Sequence, residues 1–365
     1  MKENTDILGR DEAVALSLRE LYHAWGYEPY KMSKFEPYDF YARNRSFVTG
    51  DNILTFTDTN GRLMALKPDV TLSIVKNYRG GQRKVYYNES VYRDTGASHE
   101  FQEILQTGLE CIGDVDLYAM GEVLMLAAES LQSISDDYVL NISNLNILTG
   151  IFAAAGANAE LSGELLAAIG AKNRHLLREL CAGGGLSPEY SELLETLCLL
   201  SGDAKPSLEK LLALPLPAES LLAARELERL CDILAVFGDY RVNLDLSIIN
   251  DTDYYTGLIF RGYVNGVAAS VLSGGRYDHL LDRMGKTGGA VGFAVYLSEL
   301  ERFLGETRQY DVDTLLAYEP GSDPIAVAKQ AKALVAAGHT VRAQQTGDAA
   351  ITYRVKITPD GKEAN

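Results

Sequence analysis

The chain has 365 residues, and its 47% hydrophobic and 23% charged residues are typical of a soluble globular protein and too apolar for disorder. A formal net charge of −16 disfavours non-specific attraction to nucleic acid or to an anionic membrane. The charged start lacks the apolar core of a signal peptide, and no apolar run approaches the roughly 18 residues of a membrane span. We therefore expect a cytoplasmic protein with no membrane partner.

The first segments of the chain combine helix and hairpin signals. Apolar residues at helical spacing over 11–25 predict an amphipathic helix, which Gly26 should end. Asn60-Gly61 lies between two apolar runs, and this dipeptide predicts a hairpin over 53–66. A second helix is predicted to open at 67–71, because a proline near the first turn is followed by an acid.

Two strands are predicted between residues 85 and 113 from their period-two alternation. In the second of them Gln106, Gly108 and Glu110 share one face, and apolar residues occupy the other. This polar face is either a solvated sheet surface or the floor of a binding pocket. The residues of the strand leave both interpretations open.

The rest of the chain predicts an α+β fold, because hairpin-connected strand patterns are interrupted by helices. The predicted elements are a helix over 116–135, a helical insertion over about 150–236, strands over 242–249, 254–264 and 267–275, a Gly-rich stretch over 285–295 that leads into a helix over 297–304, and a strand, a helix and two strands over 311–365.

The cysteines and histidines do not indicate a metal site. Four widely spaced cysteines contain no CxxC pair, and five scattered histidines form neither an HxxxH nor an HExxH pattern. We therefore expect reduced thiols, no disulfide framework and no metal.

Five segments occur in a familiar order along the chain. They are TFTDTNGRLMALKPDVT (55–71), VYRDTGASHEFQEILQTGLECIG (91–113), DTDYYTGLIF (251–260), SGGRYDHLL (273–281) and GGAVGFAVYLSEL (288–300). Together they resemble the catalytic core of histidyl-tRNA synthetase, a class II aminoacyl-tRNA synthetase. The second and last segments resemble motifs 2 and 3, and the third and fourth resemble the two signatures specific to the histidine enzyme.

The resemblance implies an antiparallel sheet flanked by helices. It assigns residues 1–305 to a synthetase-like core that contains the helical insertion, and it leaves 311–365 as a small α/β segment.

The resemblance also implies a histidine-binding pocket on the sheet. Asp69 and Thr71 would face the ammonium of the ligand, and Gln106 would reach its backbone. Glu110 and Tyr255 would hold the imidazole, because a carboxylate can fix an imidazole N–H by a charge-assisted hydrogen bond. The polar strand face is then predicted to be a pocket floor. The residues assigned to histidine binding are Asp69, Thr71, Arg93, Gln106, Glu110, Tyr254 and Tyr255.

The cations that a synthetase needs around ATP are mostly missing. Arg93 matches the motif 2 arginine, but the arginine of the first histidine signature falls on Asn250. The motif 3 arginine falls on Glu299, and its neighbouring acid falls on Ser298. The motif 2 loop shows Ser98-His99-Glu100-Phe101 instead of its second arginine. Because the loss of one such donor costs about 10²–10³ in rate, we expect no useful adenylation and no cofactor. The tail is also not conspicuously basic, so we expect no tRNA partner.

The synthetase paralogue with this set of losses is the regulatory subunit family of ATP phosphoribosyltransferase in histidine biosynthesis. The resemblance to it implies a non-catalytic chain that pairs with a short-form catalytic subunit, as a homodimer within a hetero-octamer, and takes part in feedback inhibition by histidine. A functional histidyl-tRNA synthetase or another histidine-binding paralogue is the alternative. The inhibitory histidine would bind in the synthetase-like pocket or at a subunit interface, and the sequence leaves both places open.

Overall fold

The computed structural model describes residues 8–48, 52–94, 100–249, 254–300, 303, 310–346 and 351–363. Its strands are β1 (Glu28–Pro29), β2 (Phe35–Pro37), β3 (Thr55–Thr57), β4 (Leu63–Leu66), β5 (Arg83–Asp94), β6 (Phe101–Gly113), β7 (Tyr138–Asn144), β8 (Ser201–Asp203), β9 (Val242–Asp245), β10 (Leu258–Val264), β11 (Leu272–Arg276), β12 (Gly289–Tyr296), β13 (Val312–Tyr318), β14 (Val341–Gln345) and β15 (Tyr353–Ile357).

Helices separate these strands along the chain. The α-helices are α1 (Arg10–Ala24), α2 (Tyr38–Arg43), α3 (Thr71–Asn77), α4 (Leu117–Ile134), α5 (Leu145–Ala154), α6 (Ala159–Gly170), α7 (Arg174–Gly183), α8 (Pro188–Leu199), α9 (Ala204–Leu212), α10 (Ala218–Phe237), α11 (Asp278–Arg283) and α12 (Pro324–Ala336). Short 3₁₀ helices cover Arg45–Phe47 and Leu297–Leu300. None of these described helices is long and apolar enough to cross a membrane.

A large sheet organises the first of two compact units, Met1–Phe303. Within the described residues its strand order is β1-β5-β6-β12-β11-β10-β7-β9-β8. The six strands from β5 to β7 in this order pair antiparallel, and parallel pairs occur only further out, between β1 and β5 and between β7 and β9. The predicted α+β class with an antiparallel sheet is therefore confirmed.

One face of this sheet is closed by α1 and α4. Val123 and Leu124 of α4 are fully buried, as are Leu109 and Cys111 on the apolar face of β6. Tyr22 of α1 is also fully buried, and its hydroxyl lies 2.9 Å from Ser130 Oγ on α4. This apolar layer stabilises one face of the sheet, and the opposite face is not covered by α1 and α4.

Several sequence predictions in this unit are confirmed. The hairpin at Asn60-Gly61 is present, with Thr57 of β3 opposite Leu63 of β4 and a φ of 76° at Gly61. The long apolar helix expected over 116–135 is α4, and the helix expected over 11–25 is α1. The insertion predicted at about 150–236 contains the run of helices from α5 to α10, interrupted by β8 at the edge of the sheet.

The helix expected to open at 67–71 is α3, which begins at Thr71. Asp69 lies ahead of it and accepts a hydrogen bond from Leu72 N at 2.8 Å. Other element boundaries were wrong. The strand expected over 242–249 ends at Asp245, because the Asp245 carboxylate accepts from Ser247 N and starts a turn. The Gly-rich stretch over 285–295 was not recognised as a strand, although most of it forms β12 at the centre of the sheet.

The second compact unit, Leu304–Asn365, contains a small parallel sheet of strand order β14-β13-β15 in its described residues. The helix α12 connects β13 to β14, which gives the predicted order of strand, helix, strand and strand. Parallel neighbours require such a crossover, and the helix provides it.

Candidate ligand-binding site

A cavity of about 450 Å³ lies over the polar face of β6. Its lining comes from β5, β6, β10, β11 and β12, from the start of α3 and from the residues that precede β10. All the residues that the sequence assigned to histidine binding line this one cavity: Asp69, Thr71, Arg93, Gln106, Glu110, Tyr254 and Tyr255. The structure therefore brings the predicted set together, and the identity of the ligand stays a prediction.

Glycines in the sheet make room for the cavity. A Cβ atom added to Gly292 of β12 would lie 1.8 Å from Glu110 Oε2. A Cβ atom on Gly275 of β11 would lie 2.5 Å from the Tyr255 ring, and one on Gly108 would lie 2.6 Å from the Tyr87 hydroxyl. Such distances are far below van der Waals contact, so glycine is needed at these three positions for the acid and the tyrosines to occupy this face.

Glu110 forms the floor of the cavity and is only 2% exposed. The Thr71 hydroxyl donates to Glu110 Oε1 at 2.6 Å, and the Tyr277 hydroxyl donates to Oε2 at 2.5 Å. Burial raises the pKa of this carboxyl to about 8, although both hydrogen bonds oppose the shift. The group therefore carries a proton through much of the neutral range.

Asp69 provides a second buried acid at the start of α3. Its Oδ2 lies 3.5 Å from Arg93 Nη2, and Arg93 Nε donates to the carbonyl of Pro68 at 2.7 Å. Burial raises the pKa of Asp69, and the Arg93 charge and the Leu72 N–H oppose that shift. The arginine thus holds the segment before α3 against β5 and keeps the Asp69 carboxylate in place.

Gln106 offers a donor that the described residues leave without a partner. The side chain is 2% exposed, and its Nε2 has no hydrogen-bond partner among them. A buried donor left unpaired costs about 1–3 kcal/mol. A ligand oxygen in the cavity would recover this free energy. The low exposure of Gln106 and Glu110 also decides between the two interpretations of this strand face, because a solvated sheet surface would leave both side chains open to water.

Tyrosine rings form one wall of the cavity. The Tyr254 ring centroid lies 4.8 Å from that of Tyr255 and 5.8 Å from that of Tyr277. Burial raises the pKa of all three phenols, so they remain neutral hydrogen-bonding groups. The wall combines flat apolar surface with polar tips, which suits a planar polar ring.

Sequence reasoning missed further residues of the lining. Tyr277 belongs to the SGGRYDHLL segment, which was quoted for its resemblance but given no role. Arg261 lines the cavity from β10, and the available signal was a charge inside the otherwise apolar run LIFRGYV. Tyr87 of β5 follows the same alternation as Arg93 and also lines the cavity.

The structure describes only some of the positions that depart from the synthetase pattern. Glu299 is exposed and does not line the cavity, while Ser298 Oγ accepts a hydrogen bond from Leu105 N at 3.0 Å. Asn250 and the loop residues Ser98 and His99 lie outside the described residues. No group of three or more metal-ligating side chains occurs in the described part of the chain.

Comparison with known families agrees with this geometry. The sequence profile of the family "Histidyl-tRNA synthetase" matches residues 8–300. This chain belongs to that family. The match covers the large sheet and its helices, and it ends at the 3₁₀ helix that follows β12.

Individual proteins and solved structures are also similar to this chain. An ATP phosphoribosyltransferase regulatory subunit from Alkaliphilus metalliredigens is 28% identical over 289 residues, covering 76% of this chain and 73% of the relative. A crystal structure of an ATP phosphoribosyltransferase regulatory subunit/histidyl-tRNA synthetase from Bacillus halodurans has a TM-score of 0.79 at 23% identity and covers 95% of this chain and 93% of its own. A chain of the ATP phosphoribosyl transferase (HisG:HisZ) complex from Thermotoga maritima has a TM-score of 0.63 at 22% identity, with 82% and 99% covered.

We expect Glu110→Gln to stabilise the ligand-free protein, and the gain should grow with pH. The folded-state pKa of about 8 lies above the ordinary value of 4.5, so the folded state holds a proton that the unfolded chain releases. Wild-type stability should therefore fall as pH rises between these values, by at most about 1.4 kcal/mol per pH unit. Glutamine keeps the size of the side chain and does not titrate.

The measurement is the free energy of unfolding in urea at about pH 5 and about pH 8. Glu103→Gln is the matched control, because Glu103 lies on the same strand and is exposed. An identical pH dependence in wild type and Glu110→Gln would contradict the assignment of a buried, protonated Glu110.

Proposed function

We propose that this chain is a non-catalytic regulatory subunit of short-form ATP phosphoribosyltransferase, which acts in the cytoplasm and binds histidine as a feedback inhibitor. One observation carries the proposal. The side chains that would recognise an amino acid converge on a single cavity, whereas Glu299 stands where a synthetase needs a cation for ATP.

The cavity matches the polar groups of histidine. Asp69 would pair with the ammonium, and the free Gln106 Nε2 would donate to a carboxylate oxygen. Glu110 would bond the imidazole within the tyrosine wall. Because an imidazole has a pKa of about 6.5 and Glu110 one of about 8, the bound pair would share one proton at neutral pH. The geometry therefore favours the synthetase-like cavity over a subunit interface as the place for histidine.

The relatives support the phosphoribosyltransferase assignment. The Alkaliphilus relative is named as a regulatory subunit of this enzyme, and the Thermotoga maritima chain of the same fold comes from a complex of it. We extend the same role to this chain, as a homodimer within a hetero-octamer. We assign no tRNA partner, because residues 311–365 contain six Lys and Arg residues against seven Asp and Glu residues.

The alternative is a functional histidyl-tRNA synthetase, and it makes the opposite prediction for adenylation. We expect no histidine-dependent exchange between ATP and pyrophosphate, because Asn250 and Glu299 replace two cations and each such loss costs about 10²–10³ in rate. The assay uses the purified chain beside an authentic synthetase as the positive control. Exchange at a rate near that of the control would overturn the non-catalytic assignment.

Regulation requires that histidine change how this chain contacts its partner. A coupling of about 1–3 kcal/mol corresponds to a 5- to 150-fold effect on the second binding event. The cavity lining comes from five neighbouring strands of the sheet, β5, β6, β12, β11 and β10, so a bound ligand could alter the surfaces that these strands reach. The pairing of β5 with β6 over their full length is the most direct route from the cavity floor to the sheet edge.

We expect the purified chain to raise the activity of a short ATP phosphoribosyltransferase and to confer histidine inhibition on it. Glu110→Gln should still activate the partner but weaken histidine inhibition at least tenfold, because a charged hydrogen bond to the imidazole is lost. Glu103→Gln should behave as wild type. The readout is phosphoribosyl-ATP formation across a histidine titration. A catalytic subunit that is equally active and equally sensitive without this chain would refute the proposal.

The first unit also contains a three-stranded sheet of order β2-β4-β3 near its N-terminal end, which offers a surface for self-association. Phe35, Phe56 and Leu63 are 47%, 37% and 49% exposed, and the two phenylalanine rings meet edge to face at 5.4 Å. Grouped exposed apolar side chains of this kind mark an interaction surface more often than isolated ones do. We place the homodimer contact on this N-terminal sheet.

Phe56→Asp should therefore shift the protein from dimer to monomer at micromolar concentration, because a charge would be buried in the contact. Leu222→Asp is the matched control, since Leu222 is an exposed leucine on α10, outside this sheet. Sedimentation velocity distinguishes the two species. A monomeric wild type, or a dimeric Phe56→Asp variant, would contradict this placement.

A further inference from the structure

The cavity contains a cation that the histidine-binding set does not use. Arg261 projects from the middle of β10 and lines the same cavity as Gln106 and Glu110. Its side chain is half-buried, and no described carboxylate lies within ion-pair distance of it. A guanidinium that faces a ligand cavity without an acid of its own is available to an anion.

The sheet register explains how a residue on β10 can reach this ligand. Arg261 lies opposite Ser273 on β11. Ser273 lies opposite Ala294 on β12, which in turn lies opposite Gly108 on β6. Directly opposed residues project from the same face of a sheet, so a row of small side chains separates Arg261 from β6. At ~4.8 Å per strand this row spans roughly 14 Å, which leaves space for an amino acid between the guanidinium and Gln106.

The charges of histidine leave one group unmatched by the assigned residues. Its ammonium and imidazole correspond to Asp69 and Glu110, but the single Gln106 amide faces a carboxylate without a cation. Arg93 is already engaged by the Pro68 carbonyl and the Asp69 carboxylate. The synthetase arginine that would fall on position 250 is replaced by asparagine.

We infer that Arg261 binds the α-carboxylate of the amino acid and thereby sets the preference of the cavity for an amino acid over its decarboxylated amine. The inference rests on the proposed histidine-binding function and adds the residue that recognises the third polar group. The guanidinium would act from the sheet floor, with Gln106 donating to the same carboxylate from the opposite side of the cavity.

The test compares histidine with histamine, which keeps the imidazole and the ammonium but lacks the carboxylate. Wild type should bind histidine at least about tenfold more tightly than histamine, since a hydrogen bond to a charged group is present in one complex only. Arg261→Gln should lose this preference by weakening histidine alone. Arg261→Lys should restore part of it, because lysine keeps the charge but not the fork of donors.

Isothermal titration calorimetry on the full chain gives the affinities, and the thermal unfolding temperature of each variant checks that it is folded. Arg241→Gln is the matched control, because Arg241 is exposed, pairs with Asp137 and does not line this cavity. It should bind both ligands as wild type does.

The outcomes separate the inference from the proposed function. If wild type binds histidine and Arg261→Gln binds it equally well, or loses histidine and histamine to the same extent, the carboxylate assignment is overturned and histidine binding stands. If wild type binds neither ligand, the proposed function fails and the inference fails with it. Competition by inorganic phosphate against histamine in wild type but not in Arg261→Gln would assign the guanidinium to a phosphate and would also overturn the inference.

Discussion

The burial of the Glu110 carboxyl in the middle of an antiparallel sheet is the constraint on which the site depends. A carboxylate in such a place is expensive to ionise, and here burial raises its pKa to about 8. The surrounding structure accommodates it through a glycine directly opposite on β12 and through two hydroxyl donors, Thr71 and Tyr277. These contacts join α3, β6, β12 and the end of β11 around a single acid. An apolar residue at this position would avoid the free-energy cost of burying a carboxyl group.

The proposed function distinguishes the groups that would bind an amino acid from the cations that adenylation would need. Asp69, Glu110 and the Gln106 amide, which has no hydrogen-bond partner among the described residues, line one cavity. Arg93 pairs with Asp69 and helps to position that acid. Position 299 is exposed and carries a negative charge. On our proposal the cavity binds an amino acid, and the negative charge at this motif 3 position would oppose the triphosphate that adenylation requires.

The two faces of the large sheet have different roles, since one packs against helices and the other lines the cavity. Helices α1 and α4 bury the apolar face and hold the strands in register, so the polar face can carry charged and unpaired groups that would otherwise destabilise the fold. Glu110 on β6 lies directly between Gly292 on β12 and Val85 on β5, and opposed residues share a face of the sheet.

The sequence by itself determined the elements with strong local signals and the members of the site. The 3.6-residue spacing of α1 and α4, the Asn60-Gly61 turn and the polar alternation at Gln106, Gly108 and Glu110 are local patterns, and each corresponds to an observed element. The family motifs then placed Asp69, Thr71, Arg93, Tyr254 and Tyr255 with them, although these residues are far apart along the chain.

Only the tertiary structure decided the features that depend on contacts across the sheet. The Gly-rich stretch forms the central strand β12 although glycine is depleted in strands, and Gly292 in it leaves room for Glu110 on the neighbouring strand. The segment before α3 is joined to β5 by Arg93, which donates a hydrogen bond to the carbonyl of Pro68. In the sequence Arg261 is a charged residue in an otherwise apolar strand. The register of the sheet places it on the same face as Gly108, and this position makes it part of the cavity lining. Pairing between strands that are distant in the sequence is a non-local property. The sequence therefore identified most of the residues that line the cavity, and the strand pairing determined which of them share one face of the sheet.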